Sequence, residues 1–260
     1  MKPIFSVITV HFNQLPLLKS TVDNIMQQVG FGELIEYIIV DGLSNDGTLN
    51  YLHELKFEKS IHRIIGRDAG IYDAMNKGIL AASGEYVVFI NAGDQFYETD
   101  TLAKIYDGQK SFDVIYGDTE INYPDFSRIA KTKSLDNFWR SLPFVHQSVI
   151  VKRSLLTENL FDLNYKFCAD YNQLSKLYSD KIEFVKYDSV ISCITAGGTS
   201  DVQRIKSTKE VFTIAKKRFK LNLSQRFYFR MTLLKARLSS FAKKVLPKKS
   251  VEQITRRKYK

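Results

Sequence analysis

Residues able to do chemistry recur at one kind of place in this sequence, directly after a short apolar, β-rich run. His11 and Asn13 follow Ile4 to Val10, Asp41 follows Tyr37 to Val40, Arg67 and Asp68 follow Ile61 to Ile65, and Asn91 and Asp94 follow Tyr86 to Ile90. One such residue would mean little, because Asp and Asn favour loops. Four strand ends, three of them with a carboxylate, point to a site. Carboxylates gathered at one edge repel each other unless a cation joins them. A hard divalent ion suits the set, since Mg²⁺ is held by one or two carboxylates plus substrate phosphates and oxygen ligands serve Mn²⁺ equally. The four His and two Cys form no cluster of zinc type. Neither a G-x-x-x-x-G-K-[ST] loop nor a G-x-G-x-x-G after the first strand is present, which disfavours a P-loop ATPase and a dinucleotide-dependent oxidoreductase. Metal-assisted chemistry on a phosphate-bearing small molecule remains.

The elements between these runs decide whether the residues can meet. Leu15 to Gln28 has helical spacing (Leu18, Val22, Ile25, Met26), Thr48 to Leu55 reads as a helix after a turn, and Ile71 to Ala82 is a third helix. Strand and helix alternate over the first ~100 residues, which predicts an α/β unit with a largely parallel sheet. In such sheets ligands sit at the carboxyl ends of the strands. Further on, Val114-Ile115 leads to Asp118, Pro143 to Ser148 precedes the strand-like Val149 to Val151, and Asp170 heads a helical run. Ala196-Gly197-Gly198-Thr199-Ser200 reads either as a loop closing over a ligand or as a passive linker.

The chain has 260 residues, 44% hydrophobic and 25% charged, enough to bury a sizeable core and unlike a disordered chain. Cys168 and Cys193 cannot make a disulfide framework, so a reducing, cytosolic location is expected. No run approaches the ~20 apolar residues that span a bilayer, and the N-terminus reads as a retained strand, not a secretory signal. Charge is uneven. Residues 204–260 hold 19 Lys/Arg and 2 Asp/Glu, whereas residues 1–203 hold 19 and 26. We therefore divide the chain into a body, 1–203 (halves 1–100 and 101–203), and a basic segment, 204–260. Apolar residues recur in that segment at helical spacing and predict two amphipathic helices, near 205–220 and 224–245, the second ended by Pro247. Such helices either pack on the body with a solvated basic face or attach to an anionic membrane surface, and the membrane is the partner expected. Without zinc spacing or a helix-turn-helix pattern, no nucleic-acid partner is expected.

Ser6 to Val10 with Asn13, then Ile39-Val40-Asp41-Gly42-Leu43-Ser44-Asn45-Asp46-Gly47-Thr48, resembles the nucleotide-binding half of a family 2 glycosyltransferase of the GT-A fold. Gly66-Arg67-Asp68-Ala69-Gly70-Ile71-Tyr72-Asp73-Ala74-Met75-Asn76-Lys77-Gly78 and Ala82 to Asp94 continue the resemblance in the family's order, over roughly residues 4–200. The resemblance implies a Rossmann-like, mainly parallel mixed sheet and an inverting enzyme. Such an enzyme moves a sugar from a nucleotide diphosphate, here a UDP-sugar, to an acceptor hydroxyl with Mg²⁺ or Mn²⁺. It implies Thr9 and His11 beside the base, with His11 either stacking or simply hydrogen-bonded inside. Asp41 would lie on base or ribose unless it is a turn residue, and Asn13 and Asn91 would lie at the donor. Arg67 and Asp68 would line the nucleotide pocket unless they form a local ion pair, and Asn76 would support it. The family's D-x-D appears as Asn91-Ala92-Gly93-Asp94, which leaves Asp94 as the metal ligand and predicts weak metal binding without nucleotide. Its E-D-x-x-L pattern appears with Ala169 in the first acidic position, leaving Asp170 as the base unless it only serves its helix's N-terminus. Asp118 and His146 would lie on the acceptor side, His146 orienting a ligand or sitting as an interior histidine.

The expected role is extension of a bacterial surface polysaccharide or lipid-linked oligosaccharide at the inner face of the plasma membrane. A sugar-phosphate nucleotidyltransferase is the enzyme rival, although His11 to Pro16 is not the glycine-rich, arginine-containing loop it needs. An inert body with a polymer- or membrane-binding end is the other rival.

Overall fold

The structure is a computed structural model and describes residues 2–55, 60–108, 111–197 and 203–245, with side chains described to residue 239. The chain begins with β1 (Phe5–His11), α1 (Leu15–Met26), β2 (Ile35–Asp41), α2 (Thr48–Glu54), β3 (Ile61–Ile65), α3 (Ile71–Ala81) and β4 (Tyr86–Phe89). Each strand–helix alternation expected from the sequence is present, with bounds within two residues. Strands β3, β2, β1 and β4 lie side by side and parallel, with Phe5 opposite Ile35 and Tyr86. Every residue of β1, β2 and β4 is buried. That is why these strands read as continuous apolar runs: helices cover both faces.

Along β1 and β2, successive side chains feed two different cores. Phe5, Val7, Tyr37 and Ile39 pack against Leu18, Val22 and Ile25 of α1, while Ile8, Val10, Ile38 and Val40 pack against Ala74, Met75 and Ile79 of α3. Gly78 lets α3 approach this closely. A Cβ there would stand 2.6 Å from Ile8 Cγ2.

The second half adds β5 (Gln95–Phe96), α4 (Thr101–Gly108), β6 (Val114–Asn122), β7 (Ser127–Ala130), β8 (Val149–Lys152), α5 (Arg153–Glu158), α6 (Ala169–Ser179) and β9 (Phe184–Thr195). Short 3-10 turns occupy Leu135–Trp139 and His146–Ser148. The sheet order is β3-β2-β1-β4-β8-β6-β9-β5, with β7 on β6. Strand β8 is antiparallel to β4 and β6, so the sheet is mixed while the half built from β1 to β4 stays parallel. The long β9, parallel to β6, has no counterpart in the sequence reading. Its burial does not alternate cleanly and its register slips beside Tyr116 and Asp118, which erases the period-two pattern.

Two helices end the described chain, α7 (Arg204–Arg218) and α8 (Leu223–Val245), close to the spans expected. Charge changes sign near residue 204, but packing continues across it: Ile214 of α7 is fully buried in the same core as Ile8, Leu174 and Leu177. Residues 198–200 of the glycine-rich stretch, Pro247, and the rest of 246–260 lie outside the described residues.

Candidate functional site

The carboxyl ends of β1 and β2 are joined by a dense polar network. Asp41 ends β2 fully buried, and both its oxygens accept from Ser44, one from the backbone N–H at 2.9 Å and one from the hydroxyl. Ser44 Oγ in turn accepts from Asn13 N–H (2.8 Å), and Asn13 Oδ1 accepts from Asn45 N–H (2.8 Å). Asn13 holds φ at +52° and Leu43 at +67°. A left-handed leucine backbone is strained by about 1 kcal/mol or more, the kind of strain that gathers where a loop is shaped for a ligand. Asp46 ties the loop to both neighbouring helices, accepting from Leu15 N–H at 2.8 Å and from Thr48.

His11 is nearly buried beside this loop. The Thr48 hydroxyl donates to Asp46, and His11 Nε2 lies 2.9 Å from Thr48 Oγ1 and 3.5 Å from the Gln14 N–H. Burial lowers the pKa of His11, against a smaller opposing pull from Asp41 and Asp46, which keeps it neutral near pH 7. The His11 ring is hydrogen-bonded and nearly buried. Thr9 departs from expectation. Its hydroxyl donates to Ile90 O and accepts from Tyr37 OH at 2.9 Å, fully buried, so it braces β1 against β4 and β2 and does not line a cleft. The reason is depth: Thr9 shares its strand face with His11 but lies one pleat further inside the sheet, between Tyr37 and Ile90.

Gly42 brings the β2 loop against Asp68, since a Cβ at Gly42 would lie 2.7 Å from Asp68 Oδ2. Asp68 also accepts from Gly70 N–H at 2.9 Å at the head of α3. Arg67 is exposed, and its carbonyl accepts from Lys77. Among the described residues no Arg67–Asp68 ion pair forms, so that alternative is set aside.

After β4 the chain turns through Asn91 to Asp94, where Asp94 N–H donates to Asn91 O at 2.9 Å and Thr21 of α1 pins the turn from behind. Asp94 is buried, and one oxygen accepts from Gln147 Nε2 at 2.8 Å. Burial pushes its carboxyl up to about 6, only partly opposed by Gln147 and the Thr195 backbone. Asn91 Oδ1 is buried with no hydrogen-bond partner. A buried carboxylate short of positive charge and an unanswered amide oxygen in one turn are hard oxygen donors without a cation, so the turn fits Mg²⁺ or Mn²⁺. Among the described residues no group of three His, Cys, Asp or Glu could hold a metal. The fit therefore depends on phosphate oxygens completing the shell.

Asp170 lies in the first turn of α6. Tyr72 of α3 donates to its Oδ1 at 3.0 Å, and burial, together with the Asp170 charge, raises the Tyr72 phenol far enough that it remains a donor. His146 stacks on Phe89 with centroids 5.3 Å apart and meets Phe161 edge-on. Burial lowers its pKa while the Asp170 charge pulls the other way, so His146 is a neutral ring within electrostatic reach of Asp170. Asn76 clamps the backbone of Phe161 with two bonds, donating to its O (3.0 Å) and accepting from its N–H (2.8 Å). Asp118 is buried under Lys131 (2.7 Å) and Thr132 N–H (2.8 Å), which outweigh burial and hold its carboxyl below the usual range.

Contacts run from the turn His146–Ser148 toward both carboxylates: Gln147 bonds Asp94, and His146 packs on Phe161, which packs on Tyr72, the donor to Asp170. Asp41 stands at the same carboxyl edge through β2. Asp118 and its lysine form a separate salt bridge.

Three contributors are absent from the sequence reading. Gln147 and Tyr72 sit inside motifs already singled out, next to His146 and at the start of the third helix. Glu210 lies in the basic segment, yet its carboxylate accepts from the backbone N–H groups of Lys166, Phe167 and Cys168, the residues leading into Asp170. The signal was there: Glu210 is the one acidic residue between 204 and 251.

Comparison with known proteins accords with this geometry. Residues 6–159 match the model for glycosyl transferase family 2. A PGL/p-HBAD biosynthesis glycosyltransferase of Mycobacterium bovis (strain BCG / Pasteur 1173P2) is 31% identical over 195 residues, 73% of this chain and 75% of that protein. Among solved structures, mannosyltransferase PcManGT from Pyrobaculum calidifontis in complex with GDP-Man and Mn²⁺ has a TM-score of 0.67 at 18% identity, covering 98% of this chain and 79% of its own. S. aureus TarS 1-349 in complex with UDP has a TM-score of 0.62 at 16% identity, covering 88% and 69%. The two structures share the GT-A-like α/β fold. The family match and the sequence relative set aside both the nucleotidyltransferase and the inert binding module. With its parallel half-sheet, its loops gathered at the strand ends and its matched residues, this chain belongs to glycosyl transferase family 2 and is a glycosyltransferase.

Proposed function

We propose that the chain transfers a sugar, with inversion, from a UDP-sugar to a hydroxyl of a glycan or lipid-linked acceptor in bacterial polysaccharide biosynthesis. The observation that carries this reading is the turn His146–Ser148, which bonds the buried, charge-poor Asp94 through Gln147 and packs through Phe161 on Tyr72, the donor to Asp170. The loop built on Asp41, Asn13 and Ser44 would hold the nucleoside, with Arg67 and Asp68 at its mouth. Asp94, with the Asn91 amide oxygen, would hold Mg²⁺ or Mn²⁺, which when bound stabilises charge on the departing diphosphate. Asp170 would take the acceptor proton as the new bond forms at the anomeric carbon and the bond to diphosphate breaks on the opposite side. Tyr72 occupies Oδ1 and holds the carboxylate in place, leaving Oδ2 for that proton. His146 and Asp118 would face the acceptor. Solved proteins of this fold carry UDP, or GDP-Man with Mn²⁺, which supports a nucleotide donor and a divalent cation.

The M. bovis relative is named as a PGL/p-HBAD biosynthesis glycosyltransferase, which supports a transferase in a bacterial biosynthetic pathway. The site of action would be the cytoplasmic side of the plasma membrane, with the protein peripheral. Among the described residues no helix is long and apolar enough to cross a membrane. Calorimetric titration with UDP tests the reading. Binding should require Mn²⁺ or Mg²⁺ and weaken at least ~10-fold in Asp94→Ala, the scale seen when a metal site loses a supporting group. Equal UDP binding in excess chelator, or in the variant, would overturn it. GDP in the same titration checks the base, and a panel of nucleotide sugars checked for slow hydrolysis identifies the sugar.

A further inference from the structure

Helix α8 has two apolar faces. One is docked: Phe229 and Ala236 are buried, and Phe229 packs with Phe212 of α7 (4.7 Å between centroids) and with Trp139. The other is bare. Leu223, Phe227, Leu234 and Leu238 are exposed to 85%, 61%, 47% and 59%. At about 100° per residue these four fall in a sector about 60° wide, roughly opposite Phe229 and Ala236. Exposed leucines scattered singly need no explanation, but an aligned row on one helix does.

The flanks say what covers it. Arg226, Arg230 and Arg237 are all exposed and run along one side of the row, and Lys235 lies on the other. From Val211 to Val245 the chain contains no Asp or Glu. A second copy of this helix would bring arginines against arginines with no carboxylate to answer them, so self-pairing is disfavoured. A polyanion such as nucleic acid would meet the charges but leave the leucines in water. A surface with anionic headgroups above an apolar layer meets both.

We propose that α8 lies in the plane of an anionic lipid surface, inserting Leu223, Phe227, Leu234 and Leu238 below the headgroups while Arg226, Arg230 and Arg237 engage lipid phosphates. This gives the peripheral location proposed above its residues and orientation, and it is independent of the donor chemistry. The docked face fixes the body relative to the lipid: α7, which α8 packs on, carries Glu210 and so holds the segment that presents Asp170. An acceptor embedded in that lipid would be offered to a site of fixed orientation.

Co-sedimentation of the full chain with phosphatidylcholine vesicles, with and without phosphatidylglycerol, tests this. Binding should need phosphatidylglycerol and fall as salt rises. The double variant Phe227→Ser/Leu234→Ser should bind at least ~10-fold more weakly, from the apolar area it withholds. Replacing Arg226, Arg230 and Arg237 together by Gln should weaken binding to anionic vesicles alone. Both variants change exposed positions and should keep the native melting temperature and UDP affinity. Equal partition of native and variant chains, or indifference to phosphatidylglycerol, overturns the proposal. So does a concentration-dependent dimer abolished by the double variant without any vesicle binding, or duplex DNA binding that survives that variant while vesicles are ignored. UDP titration on the same preparations separates failure here from failure of the catalytic reading.

Discussion

Two buried carboxylates at opposite edges of one sheet have opposite surroundings. Glu36, near the start of β2, accepts from Ser6 Oγ, Ser83 N–H, Ser83 Oγ and Gly84 N–H, with His62 3.5 Å away. Burial alone would raise its pKa, but the hydrogen bonds outweigh it and hold the carboxyl below its ordinary value. Asp94, beyond the end of β4, accepts from one side-chain amide and is pushed up to about 6. Both are acids among apolar strands. Donors converge on Glu36 because the tight Ser83–Gly84 turn aims its N–H groups there, and the carboxylate is complete without a ligand. At Asp94 the Gln147 amide and the Thr195 backbone donate but do not offset burial, and no positive charge assists them. A polar group left incomplete lowers stability, and that loss is sustained where a ligand completes the group.

The comparison can be tested hardest through the rim. Asp170→Asn should lower transfer by about 10²–10⁴-fold, the usual worth of a positioned base, with UDP affinity nearly unchanged. Normal turnover in that variant would remove Asp170 from the role.

Asp94→Asn should act in two directions. Transfer should fall roughly 10²–10³-fold, as when a group stabilising transition-state charge is removed. Stability should rise. The folded pKa of Asp94 lies above the ordinary value of 3.8, so its contribution is fully present below about pH 4 and is lost as pH rises through about 6. Two pKa units correspond to about 3 kcal/mol, so the Asn variant should gain on the order of 2 kcal/mol at pH 8 and nothing at pH 4. Urea unfolding of both proteins at the two pH values reads this directly. A variant less stable at pH 8 would mean that Asp94 is a structural carboxylate like Glu36.

Glu36→Gln should show the smallest effect on chemistry and a clear one on stability. It weakens four hydrogen bonds and turns an acceptor into a group that also donates, for a loss of about 2–4 kcal/mol, with turnover per folded molecule unchanged. The pH signature has the opposite sign. Because the folded pKa is lowered, the native advantage is present above about pH 4.5 and fades as pH falls through the lowered value. A stability difference that grows toward low pH would break the contrast.

The first half was legible because its signals are local. Buried parallel strands are continuous apolar runs, helices between them keep a 3.6 period, and a polar residue after each strand must lie at the carboxyl edge. His11, Asp41, Asp68 and Asp94 follow from that alone. Thr9 was misread because it shares a strand face with His11, and only the folded sheet shows that it sits one pleat deeper, sealed by Tyr37 and Ile90. Gln147, Tyr72 and Glu210 stood in plain sight, but their partners did not. Each acts on a residue 53, 98 or more than 40 positions away, and nothing in the spacing of one chain encodes such a meeting.

Residue order therefore determined the alternating α/β unit, the edge where chemistry gathers, and the basic, amphipathic character of the last helices, all set by neighbours within a few residues. Tertiary structure alone decided which carboxylates are ringed by donors and which are not. It also decided that Glu210 serves the body and which face of α8 stays bare. Burial and partner count are sums over groups that meet only after folding, so no local pattern carries them.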